Sequence, residues 1–409
     1  MNNNFFSCTI LIALLVGFAS CDNTSNVEPT SSKYFLKYYG QTGDQEGIDV
    51  KETPDGGFII GGNSITSFGG KSDYLLIKTD PEGNQEWQRT YNFGGDDRMT
   101  EVLVLSDGYL IAGTSELTGS NKVKLIMVDR DGIKEDDFTL DSTNVNSYKC
   151  NDITLTNSGD YFIVGTYDGP SQDASKGNSF QAFVPSSFVN VATPQLNGDN
   201  NEDVDLVFVK GLEVVNNYTA GGPQLNYLVF GYKEFPSGIN LTLYQSDLNF
   251  GNIGWGLPVK FSALNTKLVD AIPVAEGGYL ILSASETGSV MTKVNEDPNE
   301  ERYLYVTNAS YSIGTADISG ISMVQSSANK YIVTANINEQ NSIRTSSTIF
   351  ETSFSGSIRW ERVFGTYSSY TSGNACVLSD GSIVYTGTAN QESQTKVFLV
   401  KTKSNGDMK

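Results

Sequence analysis

Apolar residues along this chain fall in short runs of about five, broken by Gly, Asn, Asp and Ser. Seven of the runs share one form, an apolar stretch ending in a small residue. They are Phe58-Ile59-Ile60-Gly61-Gly62, Tyr109-Leu110-Ile111-Ala112-Gly113, Tyr161-Phe162-Ile163-Val164-Gly165, Tyr227-Leu228-Val229-Phe230-Gly231, Tyr279-Leu280-Ile281-Leu282-Ser283, Tyr331-Ile332-Val333-Thr334-Ala335 and Ile383-Val384-Tyr385-Thr386-Gly387. With the last residue of each run as a marker, the markers step along the chain by 51, 52, 66, 52, 52 and 52. Runs this short, bounded by turn residues, read as strands buried on both faces. A fixed period near fifty in β-rich units predicts a repeat architecture closed on itself or stacked in an array.

One unit shows the plan. Gly47–Thr53 offers a first strand, Pro54-Asp55-Gly56-Gly57 a turn, and Phe58–Gly62 a second strand. Asn63–Ser72 reads as a loop, Tyr74–Lys78 as a third strand, Asp80-Pro81-Glu82-Gly83 as a turn and Glu86–Phe93 as a fourth strand. Four antiparallel strands per unit make one blade, so the chain is expected to be all-β, a seven-bladed β-propeller over residues 33–409. The three tryptophans hold the register. Trp87, Trp255 and Trp360 follow Gly62, Gly231 and Ala335 at the same spacing to within one position, each after a turn glycine (Gly83, Gly251 and Gly356). A shared phase argues that each packs an outer strand on the neighbouring blade rather than forming a ligand platform.

The last unit stops at Lys409, after the final turn and before a fourth strand. Tyr34-Phe35-Leu36-Lys37-Tyr38-Tyr39-Gly40 resembles the fourth-strand segments beginning at Trp87 and Trp360. An open sheet edge is a liability, so the N-terminal strand is expected to complete the last blade and close the ring.

Ahead of this strand, Phe5–Ala19 is apolar and short, which suits a signal peptide over residues 1–20. Ala19 and Ser20 precede Cys21, and the stretch resembles a bacterial lipobox, which implies lipid on Cys21. No Lys or Arg precedes the apolar run, and Phe18 stands where such sites usually carry Leu. Residues 21–32 are polar and read as a flexible tether. The eleven residues after Cys21 reach at most about 36 Å.

Composition narrows the chemistry. The formal net charge is −20 and there is no histidine. The acidic surface argues against nucleic acid as a partner. Without imidazole there is no Ser-His-Asp or Cys-His nucleophile and no histidine metal site. Cys8 lies in the leader and Cys21 ends it, while Cys150 and Cys376 belong to units three and seven. Those units are not neighbours in a ring, so the two thiols are expected to stay unpaired.

Two features could carry a site. The one long step, from Gly165 to Gly231, holds Asp199, Asn201, Asp203 and Asp205, whose alternating oxygens could present Ca²⁺ with hard ligands. Lys210 stands where an EF-hand loop needs Glu, and the sixth position lacks its glycine. A solvated acidic loop is the competing reading, so no cofactor is expected beyond a candidate Ca²⁺. The excess residues are expected between Asp168 and Asp205. The connections between blades gather acids on one face around the channel: Asp44, Glu46, Asp49, Asp96, Asp97 and Asp152, against Asp270 and Asp317 in later units.

The phase Asp80…Gly83-Asn84…Trp87 resembles the turn motif of quinoprotein-like (PQQ-type) propellers, and residues 34–409 resemble the β-propeller lipoproteins of Bacteroidota with WD40-like repeats. That resemblance implies a lipid-anchored outer-membrane protein, displayed at the cell surface or facing the periplasm. The expected function is non-catalytic: a binding or scaffolding lipoprotein in a cell-envelope complex, with envelope proteins and glycans as candidate partners. It would touch the membrane through its lipid alone. The alternative is a glycan-active or quinoprotein-like enzyme using channel carboxylates.

Overall fold

The computed structural model describes residues 33–409 except 66–69, 142–146, 169–177, 198–204, 217–223, 247–265, 286–287, 297–303, 314–317, 339–343, 366–367 and 392, with the backbone alone for 215–216, 224–226, 245–246, 295–296 and 304–313. Cys21, the tether, Asp199, Asn201, Asp203, Gly251, Trp255 and Asp317 lie outside the described residues.

Seven antiparallel sheets follow one another along the chain and form a ring. In blade one the strands run Asp44–Glu52, Phe58–Ile65, Asp73–Thr79 and Gln85–Tyr91, paired in that order. Blade four shows three strands among the described residues, and the other blades show four. The first strand of each blade lies innermost. These inner strands are Asp44–Glu52, Asp97–Val104, Ser147–Leu155, Asp205–Asn216, Lys267–Pro273, Ile318–Ser327 and Tyr370–Val377. They touch in sequence around the ring, and the seventh returns to the first.

Burial explains the pattern of apolar runs. The middle strands of blade one are buried almost throughout, while its outer strand is exposed or half-exposed. Apolar side chains lock into the next blade: Ile59 and Leu76 share a core with Met99, Val102 and Ile111 of blade two. The polar triplet Asp44-Gln45-Glu46, read from sequence as part of a connection, is the start of the inner strand. It pairs with Asn63-Ser64-Ile65, which extends the second strand past its expected end at Gly62.

Closure follows the expected route. Phe35–Tyr39 pairs antiparallel with Gln394–Thr402, from Phe35 opposite Lys401 to Tyr39 opposite Val397. It is the outer strand of blade seven. The aromatic phase extends to this strand. Gly83, Gly132 and Gly406 turn with φ of 75°, 74° and 78°. A Cβ at each would meet an aromatic ring of the preceding blade: Phe35 at 2.4 Å, Trp87 at 2.9 Å and Trp360 at 2.6 Å. Phe35 therefore holds in blade seven the place that Trp87 and Trp360 hold in blades one and six. Lys37, Arg89 and Arg362 lie over these three rings at 5.1, 5.7 and 5.9 Å from the centroids.

Every inner strand carries a β-bulge at the same height, between Gly47 and Asp49, Met99 and Glu101, Cys150 and Asp152, Phe208 and Lys210, Leu268 and Asp270, Gly320 and Ser322, and Ser372 and Ala375. The bulge presses the inner backbone onto the marker residue. A Cβ on Gly62 would lie 1.8 Å from the Glu46 carbonyl oxygen, which is why these runs end small. With Asn374 standing at this height in blade seven, the first residues past the bulges step 52, 51, 58, 60, 52 and 52 along the chain. The long step is thus divided. Part precedes the blade-four bulge, and part lies in that blade's first hairpin, Asp205–Asn216 with Gln224–Phe235. This corrects the expectation that all of it falls before Asp205.

Candidate functional site in the central channel

A bulge leaves backbone amides without ladder partners, and buried amides need acceptors. Here the residues just past the bulges supply them. Asp49 Oδ1 accepts the Val50 amide at 2.9 Å, and its Oδ2 accepts the Val102 amide of blade two at 3.1 Å. Asp270 repeats this with Ala271 and, across the seam, Met323 of blade six, both at 2.8 Å. Asp152 accepts the Gly211 amide of blade four at 2.9 Å. Asn374 of blade seven donates to Asp49 at 3.0 Å, so the ring of contacts meets itself.

Two lysines join these carboxylates. Lys51 Nζ bonds Asp49 at 3.2 Å and Glu101 at 3.0 Å. Lys210 Nζ bonds Asp152 at 2.7 Å. Asp49 is fully buried, while the side chains of Lys51 and Lys210 keep 32% and 22% of their surface. Water therefore reaches this level of the channel along the lysines more than along Asp49 or Asp152.

Proton affinities follow from this packing. Burial raises Asp152 against the pull of Lys210, and the Glu101 carboxylate adds to the rise, to about 7. Burial acts the same way on Glu101, but Lys51 and Lys210 outweigh it and hold that group down at about 2. Burial opposes the charge on both lysines, yet the carboxylates around them raise both above the ordinary ammonium value. Asp270 is raised by burial, with Lys210 pulling the other way. The cluster holds four carboxylates and two ammonium groups, and Glu101 and Asp152 lie within hydrogen-bond reach of each other.

Of the six acids expected on this face, Asp49 and Asp152 converge in the channel. Asp44 accepts the Thr395 amide of blade seven at 2.8 Å. Asp96 accepts the Ser72 amide at 2.9 Å. Asp97, fully buried, accepts the Phe93 amide at 2.8 Å and a hydrogen bond from Ser115. Those three hold connections in place. Glu46 lines a small cavity of about 240 Å³ at the channel mouth with Ile321, Thr371 and Asn374. Arg98 reaches Glu46 at 3.4 Å and Asp96 at 3.2 Å, so the acidity of the face is partly neutralised.

The sequence reading names neither Lys51 nor Glu101, and Lys210 only as a mismatch to an EF-hand loop. A signal for Glu101 existed. Asp49, Asp152, Asp270, Ser322 and Asn374 all stand at one spacing ahead of their markers, and Glu101 stands a single position nearer to Gly113. Lys210 breaks the spacing and lies farther ahead of Gly231, because the hairpin of blade four is long.

Of the expected Ca²⁺ ligands only Asp205 is described. It opens the inner strand of blade four, and its carboxylate is not without a partner. Among the described residues no three His, Cys, Asp or Glu side chains converge so as to hold a metal ion. The channel acids face amides and ammonium groups, a donor set unlike a Ca²⁺ cage. Cys150 and Cys376 are unpaired thiols. Burial pushes Cys376 up to about 12 and Cys150 well above its ordinary value, so neither is a ready nucleophile.

No family model matches the chain, and no curated protein matches it. Among solved structures it is similar to a protein of unknown function from Dyadobacter fermentans DSM 18053, at 11% identity and a TM-score of 0.49, over 78% of this chain and 98% of that one. It is similar to YCF48 from Cyanidioschyzon merolae at 10% identity and a TM-score of 0.50, over 89% and 98%. The β-propeller domain of the Trilobed protease from Pyrococcus furiosus, described as having an open velcro topology, matches at 10% identity and 0.49, over 88% and 95%. At these identities the likeness is one of fold alone. By its own seven sheets closed in a ring, the chain is a seven-bladed β-propeller.

Proposed function

We propose that the chain is a non-catalytic binding module of the cell envelope, held at the outer membrane by lipid on Cys21. One observation carries the first half of this reading. The channel carboxylates, which an enzyme of this shape would use, are committed to backbone amides and lysines of neighbouring blades. A general acid or nucleophile needs an approach for substrate, and Asp49 and Asp152 have almost none. Recognition then falls to the outer surfaces of the ring. The lipid and the location rest on Ala19-Ser20-Cys21 and the polar stretch after it.

The purified full-length chain, incubated with a panel of bacterial and plant polysaccharides, should release no reducing ends. Release that disappears in Glu101→Gln or Asp152→Asn would make the channel catalytic and overturn the reading. In a Gram-negative host the chain should enter the detergent phase on phase separation, and Cys21→Ser should leave it. Equal partitioning of the two forms would remove the lipid anchor.

A further inference from the structure

On the face formed by the β-turns, away from the blade connections, a cleft of about 400 Å³ opens between blades one and two. That volume falls in the ~300–1,000 Å³ range of small-ligand sites. Tyr109, the first residue of the blade-two run, lines it. The residue is only 3% accessible, and among the described residues no partner meets its hydroxyl. The equivalent tyrosine of blade four, Tyr227, donates to Glu213 at 3.1 Å. The ring is packed away while the hydroxyl is left to solvent, and it faces a space large enough for a ligand. Burial, reinforced by the charge of Asp55, raises this phenol to about 12, so it stays a donor at physiological pH.

The charged lining is nearly balanced. Asp55, Glu86 and Asp131 face Lys78 and Arg130, three carboxylates against two cations. Lys78, with 4% of its side chain accessible, holds Asp55 at 2.8 Å and Glu86 at 3.0 Å and thereby fixes both acids at the edge of the cleft. Their side chains remain 58% and 47% accessible, so lone pairs still face out. Arg130 uses one nitrogen on the Ser106 carbonyl at 2.7 Å and keeps its other donors. Pro54, Val104 and Leu105 supply apolar wall, and the Trp87 ring centroid lies 6.2 Å from that of Tyr109.

Exposed acceptors, a phenol and a guanidinium as donors, near-neutral charge and apolar walls suit a ligand with many hydroxyls and an apolar ring face. We propose that this cleft binds a neutral saccharide unit, its hydroxyls donating to Glu86 and Asp131 and accepting from Tyr109 and Arg130. This names a ligand class for the binding module proposed above and rests on that reading.

The test uses the full-length chain in detergent and calorimetric titration with malto-, cello-, chito-, manno- and xylo-hexaose, with polygalacturonate and pentalysine as charged probes. At least one neutral oligosaccharide should bind. Tyr109→Phe should weaken it by about two- to tenfold, the loss expected for one hydrogen bond. The thermal midpoint of that variant should be unchanged, since the hydroxyl holds nothing in the free protein. Failure of all five neutral probes, or Tyr109-dependent binding of a charged probe alone, overturns the proposal. Saccharide binding that ignores Tyr109→Phe also overturns the cleft while leaving a binding module elsewhere on the ring. Hydrolysis of a probe with Tyr109-dependent affinity would instead support the cleft and overturn the non-catalytic reading.

Discussion

Asp152 shows how one residue can carry a role that its neighbours decide. Burial favours its neutral acid, while Lys210 beside it favours the carboxylate. Beside Glu101 as well, and out of reach of solvent, it keeps a proton up to about pH 7. The folded chain thus binds this proton more tightly than the unfolded chain, where the ordinary value is 3.8. Its contribution to stability is complete below about pH 4 and is lost as pH rises through about 7. Glu101 acts in the opposite sense, contributing above its ordinary value of 4.5 and losing that contribution only as pH falls toward about 2. Between about pH 5 and pH 7 Asp152 therefore contributes a falling slope, with Glu101, Lys210 and Lys51 as the charges around it and Asp270, also raised by burial, acting in the same sense. The melting temperature of the wild type should fall across this range more steeply than that of Asp152→Asn. Equal slopes would mean that Asp152 is already ionised at pH 5. Asp152 could be named from sequence because it stands where a blade connection enters its first strand. Its proton could not, because it depends on Glu101 of the blade before and Lys210 of the blade after, both remote along the chain.

Strands and turns repeat their devices with small changes. Residues just after the marker accept amides across the seam: Asn63 from Met99, Thr114 from Cys150, Asn336 from Ser372 and Thr388 from Gly47, at 2.8 to 3.1 Å. Third-strand serines do the same with two bonds each. Ser179 donates to Leu206 and accepts from Phe208, and Ser289 does so with Ile318 and Gly320. Period and turn glycines made the blades legible, since a bulge that admits only a small residue leaves its mark once in every blade. The seam between blades two and three was not legible. Blade two lacks a tryptophan, and residues 185–194 replace the short turn of blade three. They place Phe188 against Phe138 and Tyr161, with ring centroids 5.7 and 6.1 Å apart. No local pattern announces that substitution. The N-terminal strand is the element with the clearest consequence. Phe35 and Tyr39 are buried, and the Tyr39 hydroxyl donates to the Gly83 carbonyl at 2.7 Å. Deleting Tyr34–Gly40 should abolish cooperative unfolding or cause aggregation, since it bares the edge of Gln394–Thr402. A truncated chain that melts at the wild-type temperature would show that the ring does not need this strand.

At the scale of the whole molecule, the ring joins its N-terminal strand to its last blade and puts charge at its centre. Asp49, Asp152 and Asp270 lie on blades one, three and five, and each reaches the next blade, while Asn374 of blade seven returns to Asp49. The channel charges are thus fasteners between blades, which directs recognition to the outer surfaces. Buried pairs of this kind destabilise strongly when one partner is removed. A double-mutant cycle on Asp152→Asn and Lys210→Met, followed by urea unfolding at about pH 9, where Asp152 is ionised and Lys210 still charged, measures the fastening directly. The amide that replaces the Asp152 carboxylate would still offer an acceptor to the Gly211 N–H, so the cycle isolates the charge pair. If the channel charges hold the blades together, each single change lowers the midpoint and the double change costs less than their sum, with a coupling of about 1–3 kcal/mol. Additive effects within about 0.3–0.5 kcal/mol would contradict this, and would leave the channel acids free for another task.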